Sequence, residues 1–205
     1  MPDWSDPAAM WNERFAKPEP VYGSEPNAFL REQSRRLAPG AKVFVPGDGY
    51  GRNGIWLARQ GFEVHSVDLS SVGVELARRT AAQAGVTLDA QQGDLSVLSV
   101  PHGAYDAAFA IFLHLPPEIR PVVHAKLLAA LRPAGLLILE AFTPQQLNYR
   151  SGGPKQVELL YTAALLRQDF AGAEFLKLEE VEAHLEEGPL HSGKGAVVRL
   201  VARRN

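Results

Sequence analysis

The sequence has no cysteine, which excludes disulfides, thiolate-ligated zinc and a cysteine nucleophile together. It has no stretch approaching the roughly 20 apolar residues of a membrane span. Residues 1–15 carry Asp3, Asp6 and Glu13 where a signal peptide would be basic. A cytoplasmic location without a membrane partner is therefore expected. Excess positive charge is missing too. The 21 Lys plus Arg face 23 Asp plus Glu, and the pairs Arg35-Arg36, Arg78-Arg79 and Arg203-Arg204 are scattered along the chain. No nucleic-acid partner is predicted.

What remains is the composition of a globular chain, 46% hydrophobic and 21% charged over 205 residues, enough for one α/β domain but not for a second, substrate-binding one. Residues 1–26 are rich in proline and aromatics without a regular period and read as an arm on the domain. A helix is expected over 27–37, and the body runs from 42 to 205. In it, strands at 42–45, 64–67, 87–91, 105–113 and 136–142 alternate with helices at 52–60, 71–84, after Pro116-Pro117 with Pro121 in the first turn, and at 157–168. The last two apolar runs, 175–185 and 196–202, have only a turn-rich stretch between them, so they must pair antiparallel. The expectation is a Rossmann-like, doubly wound α/β fold. Its seven-stranded sheet is mostly parallel and ends in an antiparallel C-terminal hairpin.

The strongest local signal is Gly47-Asp48-Gly49-Tyr50-Gly51-Arg52-Asn53 between a strand and a helix. Glycines there let a ligand approach the backbone and the free N–H groups of a helix start. Gly49, Gly51 and Gly54 also spell a dinucleotide fingerprint, so an oxidoreductase has to be weighed. Asp68 ends the second strand about 20 residues further on, where an acid accepts the hydroxyls of a ribose. It could instead cap the next helix, but Ser70 and Ser71 already supply that function. NAD and S-adenosylmethionine share the adenosine, so neither feature separates them. None of the five tyrosines has a lysine four residues on, so the Tyr/Lys pair of a single-domain dehydrogenase is missing.

The glycine loop with Leu57-Ala58, Val67-Asp68-Leu69-Ser70, residues 112–117 (Phe-Leu-His-Leu-Pro-Pro) and Glu187-Gly188-Pro189-Leu190-His191-Ser192-Gly193-Lys194 together resemble class I S-adenosylmethionine-dependent methyltransferases. The likeness is to the branch of tellurite-resistance and thiopurine methyltransferases. It runs from about Trp11 to the C-terminus. One departure is Val45, where the family often has an acid two residues before the first glycine; Asp48 is then expected to take over part of the contact with the cofactor's amino group. The resemblance implies that Asp94 holds the adenine amino group and Leu95 packs on the ring. The cofactor set becomes Gly47, Asp48, Gly49, Gly51, Arg52, Asn53, Asp68, Leu69, Asp94, Leu95 and Ala110.

Methyl transfer from a sulfonium is an in-line displacement needing alignment, exclusion of water and sometimes a base, with no metal. His114 and His191 are the candidate bases, each weighed against a packing role. Trp11, Phe15, Tyr22, Phe142 and Arg150 are the expected substrate contacts, and the arm with Trp4 is the expected lid. Arg150 could steer an anionic acceptor, although an arginine on a glycine-rich loop is more often simply solvated. The resemblance implies a small acceptor, a thiol or a selenium or tellurium species, with small oxygen or nitrogen acceptors left open; a monomer or homodimer is expected. The alternative is a module that binds NAD or S-adenosylmethionine, or an oxidoreductase, without methyltransferase activity.

Overall fold

The computed structural model describes residues 6–17 and 19–205. In chain order they form α1 (Pro7–Phe15), α2 (Ala28–Ser34), β1 (Lys42–Pro46), α3 (Arg52–Arg59), β2 (Glu63–Asp68), α4 (Ser71–Gln83), β3 (Asp89–Gln92), β4 (Tyr105–Ile111), α5 (Arg120–Ala130), β5 (Leu131–Phe142), α6 (Ala163–Asp169), β6 (Ala173–Gly188) and β7 (His191–Arg204). One seven-stranded sheet runs β3-β2-β1-β4-β5-β7-β6. Its first five strands are parallel, and β7 pairs antiparallel with both β5 and β6. This is the expected doubly wound sheet closed by an antiparallel hairpin.

The period of two sorts the strand side chains onto two buried faces. Phe44, Ala108, Ala110, Leu137, Leu139 and Leu200 pack on one side with Val123 and Leu127 of α5 and Leu166 of α6. Val43, Val45, Ala107, Phe109, Ile138 and Val201 pack on the other with Phe29, Leu30 and Leu57. A sheet covered on both faces leaves its strand ends as the place for a ligand. The chain reverses its order of strand addition between β1 and β4, where such folds open a crevice at the carboxyl edge.

Several expectations are corrected. The arm contains α1, a regular helix whose N-cap Asp6 accepts from the Ala9 N–H; Trp4 lies outside the described residues. The helix expected at 157–168 is a short 3-10 turn at Val157–Leu159 followed by α6, whose N-cap is Thr162. The stretch read as turn-rich after 186 is mostly strand. Only Pro189 and Leu190 separate β6 from β7, because ladder pairing across the hairpin outweighs the low strand propensity of Gly188, Gly193 and Gly195.

Candidate active site

The loop after β1 turns sharply because Gly47, Gly49 and Gly51 all take positive φ, from 58 to 84°. The Asp68 carboxylate at the end of β2 ties this loop to the next helix: Gly49 N–H donates to Oδ2 and Ser70 N–H to Oδ1, both at 2.8 Å. Burial pushes its carboxyl above the usual range, against these backbone N–H groups. Each oxygen keeps a further acceptor position, so a strand-end carboxylate beside a glycine cradle fits a ribose. The Gly93 N–H donates to the Asp68 carbonyl, which brings Gly93, Asp94 and Leu95 next to Asp68 and the half-buried Leu69. Asp94 is exposed and uses Oδ1 for the Ser96 N–H and hydroxyl. Ala110 packs in the sheet core as a strand residue.

Asp48 does not face outward. Its carboxylate takes the Gly54 N–H at 3.2 Å, under the start of α3, where Gly51 at the cap has no side chain to do so. Burial pushes its carboxyl up to about 8, helped by Asp68 and opposed by the Gly54 N–H and Arg52. Its expected contact with the cofactor's amino group is therefore replaced by a capping role. Arg52 and Asn53 likewise point to the arm and hairpin. Arg52 bonds Glu187 at 2.6 Å and the Glu25 carbonyl at 2.9 Å, and Asn53 Oδ1 accepts the Asn27 N–H at 2.9 Å.

Those bonds belong to a buried network that joins Arg52, Asn53 and Glu187 of the sequence motifs to residues outside them. Asn27 Nδ2 donates to Glu140 at 2.7 Å and to Glu187 at 2.6 Å, while Arg199 Nε donates to Glu140 at 2.6 Å. The side chains of Asn27, Glu140 and Glu187 are nearly inaccessible, so the two guanidinium groups and the amide make burial of two carboxylates tolerable. Glu140 is nonetheless pushed up by burial, against Arg199 and Asn27. Glu187 stays below its ordinary value, because His191 and Arg52 outweigh the effect of burial.

His191 stands at the start of β7 among aromatic rings. Tyr22 lies 4.8 Å from it between centroids, Phe112 4.5 Å and Phe142 5.5 Å. Its Nδ1 is 3.3 Å from Glu187 Oε2. Burial pushes its pKa down, against the pull of Glu187. Phe112, which sequence reasoning did not single out, takes φ +51° at the end of β4, a conformation bulky residues avoid and one that gathers at functional sites.

His114 fares differently. Its Nδ1 bonds the Leu159 carbonyl at 2.7 Å and its Nε2 accepts the Phe142 N–H at 3.3 Å. Burial pushes it down to about 4. With both nitrogens committed to backbone it is a packing residue, and its expected role as a base is withdrawn. Arg150 is exposed and makes no hydrogen bond or ion pair with other described residues.

The arm covers this edge. Asn12 Oδ1 of α1 accepts from the Ser70 hydroxyl at 2.7 Å and the Val72 N–H at 3.2 Å, and Phe15 lies against Gly49 and Gly73. Trp11 stacks on Phe15 at 5.4 Å, and the Arg14 guanidinium bonds the Tyr22 hydroxyl at 2.7 Å. Gly23 (φ +73°) meets the hairpin so closely that a Cβ there would fall 1.3 Å from the Glu187 carbonyl oxygen. Among the described residues no cluster of His, Asp and Glu could hold a metal ion, and no helix is long and apolar enough to cross a membrane.

A family model described as "Methyltransferase domain" matches residues 43–135. The chain is 30% identical to a thiopurine S-methyltransferase of Pseudomonas putida (strain GB-1), over 95% of this chain and 97% of that one. Among solved structures, TehB from Haemophilus influenzae superposes with a TM-score of 0.73 at 17% identity, covering 97% of this chain and 67% of that one. The protein of "Conversion of a Disulfide Bond into a Thioacetal Group during Echinomycin Biosynthesis" superposes with a TM-score of 0.79 at 17% identity, covering 97% and 90%.

Proposed function

The chain belongs to the class I S-adenosylmethionine-dependent methyltransferases, in the branch of thiopurine and tellurite-resistance enzymes, and from that premise we propose that its acceptor is a small, flat, soft nucleophile such as an aromatic thiol. The observation that carries this reading is the cage of Tyr22, Phe112 and Phe142 around His191. Two arginines bonded into its surroundings are paired with carboxylates, Arg52 with Glu187 and Arg199 with Glu140, and Arg14 bonds the Tyr22 hydroxyl. Aromatic walls suit a polarisable ring.

S-adenosylmethionine is the cofactor, and it supplies an electrophilic methyl group on a sulfonium. Gly47, Gly49, Gly51, Asp68 and Leu69, with Asp94, Leu95 and the Ala110 backbone at the neighbouring strand ends, are the residues we assign to hold it. His191 takes the thiol proton, the aromatic walls and α1 exclude water, and Trp11, Phe15, Tyr22, Phe142 and Arg150 border the acceptor. One domain with residues 1–26 as its lid, acting in the cytoplasm, completes the proposal.

Release of S-adenosylhomocysteine in the presence of 6-mercaptopurine, 2-mercaptoethanol, selenite or tellurite tests it. The aromatic thiol should lead in kcat/KM by about tenfold or more. Equal or better turnover of either oxyanion would overturn the assignment of the acceptor.

A further inference from the structure

A histidine base works only if the nitrogen facing its substrate lacks the ring proton, and in a neutral imidazole the bond made by the other nitrogen decides this. In this protein the partner is Glu187, whose Oε2 lies 3.3 Å from His191 Nδ1. We propose that Glu187 is a positioning residue that holds the ring proton of His191 on Nδ1 and thereby leaves Nε2 as the proton acceptor inside the aromatic cage. The inference rests on the reading of His191 as the base.

The geometry leaves one solution. An ionised carboxylate only accepts hydrogen bonds, so the His191 nitrogen facing Glu187 must carry the hydrogen. Glu187 also takes Arg52 Nη2 and Asn27 Nδ2, both at 2.6 Å, which satisfies its charge without an imidazolium. The buried ring can therefore stay neutral with its single N–H on Nδ1. His191 Nε2 has no hydrogen bond to any described residue, and its ring lies among those of Tyr22, Phe112 and Phe142. Glu187 in turn cannot rotate away, because Arg52 is anchored by the Glu25 carbonyl and Asn27 is anchored through its N–H to Asn53. The Arg52-Asn53 pair that follows the glycine loop thus fixes the base rather than the cofactor. His191 and Glu187 come from the hairpin of β7 and β6, and Arg52 of α3 and Asn27 at the start of α2 fix them there.

Nitrogen-15 NMR of the His191 ring, assigned against His191→Ala, reads the tautomer directly at neutral pH. The parent should show the Nδ1–H form, and Glu187→Gln should lose it, since the amide can donate as well as accept. With 6-mercaptopurine, Glu187→Gln should lower kcat by about tenfold or more with KM within about twofold, and move the acid limb of kcat/KM to lower pH. Glu187→Asp should keep the Nδ1–H form. A parent ring protonated on Nε2, or a Glu187→Gln protein with unchanged tautomer, rate and acid limb, would overturn the proposal. Because the parent spectrum needs no Glu187 variant to fold, a poorly folding Glu187→Gln does not shield the proposal. Full turnover in His191→Ala would instead remove the base reading, while the tautomer assignment would still stand or fall on the spectrum.

Discussion

Asp68 joins two roles in one carboxylate: it braces the glycine loop through Gly49 and the start of α4 through Ser70, and its remaining acceptor positions are assigned to a ribose. Asp68→Ala should weaken S-adenosylhomocysteine binding by about tenfold or more in a calorimetric titration, since hydrogen bonds to a charged acceptor contribute roughly 1.5–3 kcal/mol. Two backbone N–H groups also lose their partner, so the melting temperature should fall as well. An unchanged affinity would place the ribose on another residue. Asp68 and the glycines were legible in the sequence because strand, loop and acid lie within one βαβ unit, where spacing encodes geometry. The pairing of Asn27 with Glu140 and Glu187 was not, because those bonds span 113 and 160 positions. No local pattern carries such a contact. The direction of Arg52, toward Glu187 and the Glu25 carbonyl, follows from the same kind of long-range bond.

Helix α1 binds the body through Asn12, at the Ser70 hydroxyl and the Val72 N–H, and through Phe15, over Gly49 and Gly73 and edge-on to Tyr50. Its removal should therefore uncover the cofactor cleft without opening either core face. Deleting residues 1–22 should lower turnover far more than it lowers the melting temperature, and Asn12→Ala should speed cofactor release in stopped-flow measurements. A truncated protein with full kcat would end the lid reading. The helix start was written locally, in Asp6 and Pro7, but the sparse apolar residues of this short element hid its period. The parallel strands were legible because burial on both faces makes them continuous apolar runs. The distal hairpin was not. Its residues gain their strand conformation from pairing in register, such as Glu186 with Ser192, and a pairing partner is not visible in either segment alone.

Across the whole molecule, buried titratable groups pull stability in opposite directions with pH. Burial lowers His114 to about 4 and also lowers His124 and His191. The unfolded chain, with histidines near 6.5, takes up protons first, and this stability is lost as pH falls below about 6.5. Asp169 and Glu187 sit below their ordinary values because hydrogen bonds and nearby charge outweigh burial. Their contribution is present above about pH 4 and lost as pH falls further. Asp48 has the opposite sign. Burial raises it to about 8, so the folded state keeps a proton that the unfolded state releases above about pH 4, and the associated stability is lost as pH rises toward 8. Between about 6.5 and 8 the histidine contributions are level and the Asp48 contribution still declines. The cofactor-free protein should therefore melt highest slightly below neutral pH, with a falling melting temperature up to about pH 8.5 by differential scanning calorimetry. Asp48→Asn keeps an oxygen for the Gly54 N–H and has no proton to lose, so its profile should decline less steeply across that interval, with Asp68 and Glu140, also raised by burial, keeping the same sign. An equally steep decline in the variant would place the alkaline loss in another group.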